Sequence, residues 1–150
     1  MANTFTALHY HIVFSTKNRE PWITHDIEDR VWKFLGGIAR ENGMKALLVG
    51  GMPDHIHLAL ALPPVQSVSK ALQLLKGGSS KWIKETFPNL RGFAWQDGYG
   101  AFSLSKSNLP GVLAYIQNQK EHHRTKTFKE ELMAFLIRHE IEYQERYLWD

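Results

Sequence analysis

Cysteine is absent from this chain of 150 residues, which excludes disulfides and thiolate metal ligands. Any bound metal ion must therefore be held by imidazole, carboxylate, amide or water ligands. The sequence also lacks an apolar run of about 18 residues, the length needed to cross a membrane. Its first residues lack the basic start and apolar core of a signal peptide. We therefore expect a soluble, cytoplasmic protein with no membrane partner.

A strong charge bias is missing as well. Lys and Arg outnumber Asp and Glu by 18 to 15, which gives a formal net charge of +3. This mild excess is compatible with a polyanionic partner but does not by itself identify one. Hydrophobic residues make up 43% of the chain, enough to build a core at this length, so we expect a single domain over residues 1–150.

Two histidines stand one residue apart in a stretch with strand-like alternation, residues 53–62. Side chains at positions i and i+2 of a strand point to the same face, so His55 and His57 project together while Ile56 and Leu58 fill the other face. Two imidazoles on one face can bind one metal ion. An isolated pair of this kind can equally be two ordinary surface or interface histidines.

The rest of the pattern predicts the order strand, helix, strand, strand, helix, strand, followed by further helices. The predicted strands lie within 6–15, 45–50, 55–62 and 93–105, and the predicted helices begin near Thr24, Ser67, Asn108 and Thr127. This order predicts an α+β fold: a ferredoxin-like βαββαβ antiparallel sheet with both helices on one face. We place this core at about 5–106, a tyrosine-bearing helix at about 108–123, and a last helix and tail at about 127–150. His55 and His57 should then lie on the face that the first two helices leave open.

The helix predicted at about 108–123 offers a nucleophile and a third metal ligand. Tyr115 and Gln119 are four residues apart and lie on one side of a helix. If this helix docks on the open sheet face, it brings a phenol and an amide towards the two histidines. A phenol beside a divalent cation suits attack on a phosphodiester. His122 is an alternative ligand for metal or phosphate, and the rival nucleophiles are Tyr10, Tyr99, Tyr143 and Tyr147.

Four short motifs in this order resemble those of one known family. They are His9-Tyr10-His11-Ile12-Val13-Phe14-Ser15-Thr16-Lys17-Asn18-Arg19, Met52-Pro53-Asp54-His55-Ile56-His57, Trp95-Gln96-Asp97-Gly98-Tyr99 and Tyr115-Ile116-Gln117-Asn118-Gln119. The chain is similar over nearly its whole length to the single-tyrosine HUH transposases of the smallest bacterial and archaeal insertion sequences. A lone His-x-His motif is weak, but the four motifs together are specific.

The resemblance implies an enzyme that cleaves and rejoins single-stranded DNA. By position, His55 and His57 match the histidines that bind Mg²⁺ or Mn²⁺, Tyr115 matches the nucleophile, and Gln119 matches the third ligand. Family members recognise imperfect DNA hairpins at element ends and form a 5′-phosphotyrosine. Many are homodimers in which the tyrosine helix of one subunit completes the active site of the other.

Basic and aromatic residues outside these motifs are candidate DNA contacts. The basic candidates are Lys17, Arg19, Lys70, Lys76, Lys81 and Lys84. Those of the second helix can also form an ordinary solvated face. Phe93, Trp95 and Tyr99 can stack on unpaired bases, although we expect at least two of the three to pack in the core.

Three further residues lie close to the histidine pair in the predicted fold. Asp54 either orients a ligand imidazole or only forms the turn. His9 and His11 either reach DNA or the edge of the site, or have structural roles.

The sequence leaves two other functions open: a domesticated, non-cleaving hairpin DNA-binding protein, and a two-histidine phosphoesterase. The second requires a pair of His-x-Thr/Ser motifs, which this sequence does not supply.

Overall fold

The protein is described by a computed structural model that covers residues 3–144, with one antiparallel sheet and five α-helices in that range. The strands are β1 (His9–Ser15), β2 (Lys45–Met52), β3 (His55–Ala61) and β4 (Gly100–Leu104). The helices are α1 (His25–Glu41), α2 (Val68–Thr86), α3 (Leu109–Gln117), α4 (Gln119–His122) and α5 (Phe128–Arg138). The strand order β2-β3-β1-β4 confirms the predicted ferredoxin-like fold.

The helix ends follow the predicted capping chemistry. α1 begins after Thr24 and ends at Asn42-Gly43, where Gly43 has a φ of 74°. The Ser67 hydroxyl accepts a hydrogen bond from the Lys70 backbone N–H at the start of α2. Thr127 and Glu130 form a capping box at the start of α5. Side-chain capping bonds therefore mark the start of α2 and α5, whereas the Thr24 side chain makes no such bond at the start of α1.

The sheet separates two cores. Ile12 and Phe14 of β1 face α1 and α2, together with Ile56 and Leu58 of β3. On the opposite face, Val13 belongs to a second apolar cluster, whose other buried members are Phe102, Phe128, Leu132, Phe135 and Leu136. The alternation along β1 and β3 thus places one set of side chains under α1 and α2 and the other under α3 and α5.

Two adjacent glycines, Gly77 and Gly78, lie within α2, and one of them marks a close contact with another helix. A Cβ atom at Gly78 would lie 3.0 Å from the Ile38 side chain of α1, whereas a Cβ at Gly77 would meet nothing within 4 Å. Gly78 therefore lets α1 and α2 approach each other, and α2 continues through both glycines.

Two predicted elements differ from the structure. Of the stretch 93–105, only Gly100–Leu104 is a strand, because the preceding part pairs with β1 through a single bridge, between Thr16 and Trp95. The helix predicted at about 108–123 is broken at Asn118 into α3 and α4. None of the helices within residues 3–144 is long and apolar enough to cross a membrane.

Candidate metal and tyrosine site

The histidine pair lies where the alternation predicts, on the sheet face covered by α3 and α5. His55 and His57 of β3 are both fully buried. The Asp54 carboxylate accepts a hydrogen bond from His55 Nδ1 at 2.7 Å, so it orients this imidazole. His55 therefore presents its Nε2 atom to the interior of the site.

Glu131 of α5 lies between the histidines. Its Oε1 atom is 2.8 Å from His57 Nε2, 3.4 Å from His55 Nε2 and 3.2 Å from His123 Nε2. The Glu131 side chain is 3% exposed, so these contacts are shielded from solvent. His55, His57, His123 and Glu131 thus form one buried cluster, called here the His/Glu cluster.

Tyr115 and Gln119 reach the other oxygen of the same carboxylate. The Tyr115 hydroxyl donates a hydrogen bond to Glu131 Oε2, and Gln119 Nε2 donates to the same atom at 3.3 Å. Gln119 is buried, with its Oε1 atom 3.2 Å from His55 Nε2. The structure therefore brings the predicted nucleophile and all three predicted metal ligands together.

Charges inside the His/Glu cluster are paired. Burial favours a neutral carboxyl at Glu131, but hydrogen bonds from His123, His55 and His57 outweigh it and hold its pKa well below the usual range. Burial also opposes a charge on His55, yet its hydrogen bonds to Asp54 and Glu131 raise its pKa to about 9. A buried imidazolium therefore faces a buried carboxylate at neutral pH.

His57 is neutral and is hydrogen-bonded to a second neutral histidine, His11, on the neighbouring strand β1. Burial lowers the pKa of His57 to about 4, although Glu131 acts in the opposite direction. Burial and the adjacent His57 lower the pKa of His11 to about 3. His11 Nε2 lies 2.8 Å from His57 Nδ1. Because His57 Nε2 donates to Glu131, its Nδ1 accepts the hydrogen from His11, which thereby holds the His57 ring in place.

The Tyr115 hydroxyl is held in its protonated form. Burial, together with the hydrogen bond to Glu131 and the charge of that carboxylate, raises the pKa of Tyr115. The His122 ring stacks on the Tyr115 ring, with centroids 4.3 Å apart. His122, the alternative ligand considered from the sequence, therefore packs on the tyrosine, and the adjacent His123 enters the cluster instead.

The donor set fits a divalent metal ion. One ligand atom from each of His55, His57, His123 and Glu131 lies within 4.8 Å of all the others. Ligand atoms at about 2.1 Å from one octahedral ion lie about 3 to 4 Å from one another. Small shifts of these side chains would therefore bring all four ligand atoms to bonding distance of one ion. Three imidazole nitrogens and a carboxylate oxygen are common ligands of divalent transition metals, and an ion would bind here in place of the Nε2 hydrogens that now face Glu131. The nearby Gln119 oxygen adds a harder donor.

The sequence interpretation missed His123 and Glu131. Glu131 did carry a signal: it is an acid on the apolar side of α5, three residues after Phe128 and four before Phe135, both of which are buried. A carboxylate in that position needs a buried partner. His123 lies in the turn after α4 and has no comparable pattern around it.

Four of the six predicted basic DNA contacts, those of α2, lie on the opposite side of the sheet from the His/Glu cluster. Lys70, Lys81 and Lys84 are exposed on α2, which packs on the opposite face of the sheet. The Lys76 ammonium donates to three backbone carbonyls, those of Gln96, Asp97 and Gly98. Lys17 and Arg19 lie in a short 3-10 turn after β1. Contact of these residues with DNA stays a prediction.

The aromatic candidates and the rival tyrosines are also located. Phe93 and Trp95 are buried and Tyr99 is 40% exposed, as expected from the sequence. Tyr10 packs against the core under α1 and α2, and Tyr143 is 41% exposed. Tyr147 lies outside the described residues. Of the tyrosines within them, Tyr115 is the one bonded to the His/Glu cluster.

The sheet and its helices define the class of protein. The architecture resembles that of two solved transposases. A crystal structure of a candidate transposase from Deinococcus radiodurans matches with a TM-score of 0.66 and 27% identity, covering 79% of this chain and 95% of that one. The structure of a REP-associated tyrosine transposase bound to a REP hairpin matches in fold, with a TM-score of 0.60 and 13% identity, over 82% of this chain and 74% of that one.

Sequence comparison gives the family. Residues 4–119 match the family described as "Transposase IS200 like". The ISDra2 transposase TnpA of Deinococcus radiodurans is 28% identical over 76% of this chain and 85% of its own length. A transposase for insertion sequence element IS200 from Salmonella typhimurium is 32% identical over 81% of this chain and 82% of its own length. The chain therefore belongs to the IS200-like transposase family, whose members are enzymes that act on DNA.

Proposed function

We propose that this transposase cleaves and rejoins single-stranded DNA at the hairpin-bearing ends of an insertion sequence, through a 5′-phosphotyrosine at Tyr115. The observation that carries the proposal is the bridge made by Glu131, whose one oxygen meets the histidines and whose other oxygen accepts the Tyr115 hydroxyl. A nucleophile, a proton acceptor and a set of metal ligands thus lie side by side.

The reaction is a displacement at phosphorus. The Tyr115 oxygen forms a bond to the scissile phosphate, and the bond from phosphorus to the 3′ oxygen breaks. The phenolic proton leaves along its hydrogen bond to Glu131 Oε2, which does not keep it because the pKa of that carboxyl is well below its usual range. The proton passes through water to the departing 3′ oxygen, which becomes the 3′ hydroxyl, so no proton is gained or lost overall. The phosphotyrosine conserves the bond energy, so attack by a 3′ hydroxyl rejoins strands without an external energy source.

The proposed cofactor is Mg²⁺ or Mn²⁺, held by His55, His57 and Glu131 with His123 or Gln119. When bound there, the ion supplies positive charge to the non-bridging phosphate oxygens. Asp54 and His11 orient the two ligand imidazoles through their Nδ1 atoms.

The proposed partner is hairpin-forming single-stranded DNA, supported by the resemblance of this fold to a transposase that is bound to a hairpin. A mild net charge of +3 agrees with a DNA partner. The family resemblance also suggests a homodimer with shared active sites, whereas α3 and α4 dock on the sheet of their own chain in this structure; the mixing experiment in the Discussion distinguishes the two arrangements.

Substitution of Tyr115 by Phe tests the nucleophile. Labelled single-stranded oligonucleotides that tile the DNA on both sides of the gene are incubated with the protein and Mn²⁺, and adducts that survive detergent are counted on a gel. We expect the wild type and Tyr99→Phe to form an adduct and Tyr115→Phe to form none, because Tyr115 is the one tyrosine within residues 3–144 that lies beside the ligands. An adduct of unchanged yield in Tyr115→Phe would refute its role.

The second candidate is a non-cleaving hairpin-binding protein. The raised pKa of Tyr115 favours it, since a phenol that resists ionisation is a weaker nucleophile. Retention of a hairpin oligonucleotide without any adduct, in the same mixture, would support this alternative.

A further inference from the structure

We propose that the cleft between α3 and α5 binds the nucleotide whose 5′ phosphate becomes bonded to Tyr115, a proposal that rests on the function proposed above. The cleft has a volume of about 450 Å³ and lies over the end of β4. Its lining includes His11, Tyr115 and Glu131. A cleft of this size falls within the range of small-ligand sites.

The position of Tyr115 determines which DNA strand this cleft can hold. A second cleft, of about 520 Å³, reaches the His/Glu cluster past Asp54 and His123, and Tyr115 is not among the residues that line it. In a displacement at phosphorus, the attacking and leaving oxygens lie on opposite sides. The strand that keeps its phosphate therefore stays on the Tyr115 side. The strand that leaves with a 3′ hydroxyl departs towards the second cleft.

The lining of the α3–α5 cleft offers a stacking surface for a base. The rings of Phe135 and Phe102 are stacked with centroids 5.3 Å apart, and His139 stacks on Phe102 at 4.7 Å. His139 is exposed, so this row of rings ends at solvent. An unpaired base can extend such a row whatever its sequence.

The same cleft carries positive charge for the DNA backbone. Arg138 and Lys126 line it and are exposed; Lys126 also lines the second cleft, so Arg138 is the charge that distinguishes the two. Arginine and lysine at these positions can contact the phosphates that follow the bound nucleotide. Arg138 and His139 lie beyond residues 4–119, the segment that matches the family, so the cleft adds a contact that the family match does not include.

Two oligonucleotide probes, one for each product strand, test which strand the α3–α5 cleft binds. The first probe is an oligodeoxythymidylate of eight nucleotides with a 5′ phosphate and 5-iododeoxyuridine at its first position. The second carries 5-iododeoxyuridine at its last position and ends in a 3′ hydroxyl. After irradiation, we expect the first probe to crosslink to the α5 segment around His139 and the second probe not to crosslink there. Crosslinking of the second probe at His139, or of neither probe, would overturn the proposal.

Binding measurements give an independent readout. We expect Arg138→Ala and His139→Ala each to weaken binding of the 5′-phosphorylated strand about tenfold, the effect of one stacked base or one lost phosphate contact. Lys33→Ala, on the exposed side of α1, is the matched control and should bind as the wild type does. Equal binding by all four proteins would overturn the proposal. If an adduct forms at Tyr115 but the cleft variants bind the strand as the wild type does, the proposed nucleotide site is refuted and the proposed function stands. If no adduct forms at all, the proposed function is refuted instead.

Discussion

At the residue scale, Glu131 connects the two halves of the candidate site. Its Oε1 atom faces the imidazoles of His55, His57 and His123, and its Oε2 atom faces Tyr115 and Gln119. A carboxylate can serve both sides because each oxygen has its own lone pairs. Gln119 is therefore not the only candidate for the third ligand: Glu131 is closer to His57 and carries a charge.

Replacing Glu131 by Gln should weaken metal binding more than removing the Gln119 amide. We expect Glu131→Gln to lower the affinity for Mn²⁺ at least about tenfold, because a charged ligand is lost, and Gln119→Ala to have a smaller effect. Titration of Mn²⁺ followed by electron paramagnetic resonance measures this directly.

The matched control for this comparison is Glu130→Gln, since glutamine also satisfies a capping box and Glu130 is exposed. Thermal unfolding of each variant checks that the fold is kept. A large loss of affinity in Gln119→Ala with none in Glu131→Gln would assign the third ligand to the amide.

The sequence predicts the residues whose spacing follows secondary structure. His55 and His57 are related by the two-residue repeat of a strand, and Tyr115 and Gln119 by the four-residue repeat of a helix. Glu131 reaches the site only because α5 folds back over the sheet, a tertiary contact that no local repeat encodes. Its place on an apolar helix face is the one sign of a buried partner.

At the element scale, the docking of α3 depends on a close approach to β2. A Cβ atom at Gly50 would lie 2.9 Å from the backbone oxygen of Ile116, one residue after Tyr115. Ile116 is 1% exposed, so α3 is pressed against the strand at this point. Gly50 therefore sets how closely the tyrosine can approach the histidines.

Adding a methyl group at Gly50 should displace α3. We expect Gly50→Ala to lower the free energy of unfolding by about 1 to 3 kcal/mol, the usual effect of overpacking, and to reduce adduct formation at Tyr115. Hydrogen exchange of residues 109–117 should become faster because α3 is held less tightly. The control is Gly77→Ala in α2, where the new methyl meets nothing and should leave stability unchanged or raise it by up to about 1 kcal/mol. Slow exchange and full adduct yield in Gly50→Ala would show that α3 tolerates the shift.

Element order was predictable because the apolar residues repeat every two or every three to four positions. The segment before β4 was harder to predict, since Phe93 and Trp95 are aromatic and alternate like strand residues. They are instead buried in a loop, where Trp95 Nε1 donates to the Ser79 hydroxyl. The break at Asn118 is not marked by a proline or glycine in the sequence. The α4 helix that follows it contacts β2, a tertiary contact that the local pattern does not predict.

At the scale of the whole molecule, the tyrosine-bearing segment is attached to its own chain. The Lys120 ammonium of α4 donates to the Glu28 carboxylate of α1 at 2.8 Å, and Glu28 is 8% exposed. Together with the contact between Gly50 and Ile116, this ion pair holds α3 and α4 over the sheet of the same chain. A homodimer that exchanges these helices would have to break both contacts and remake them between subunits.

Mixing two inactive variants distinguishes a site built within one chain from a site shared between two. Tyr115→Phe keeps the ligands and His57→Ala keeps the tyrosine, so a shared site would recover one complete copy in a mixed dimer. The docking of α3 and α4 on their own chain leads us to expect no recovery: the mixture should form no more adduct than either variant alone. Native mass spectrometry of the same mixture, with one variant labelled with nitrogen-15, measures whether mixed dimers are present at all. Adduct formation by the mixture, absent from both components, would instead establish the exchanged homodimer and make the Lys120–Glu28 pair a contact between subunits.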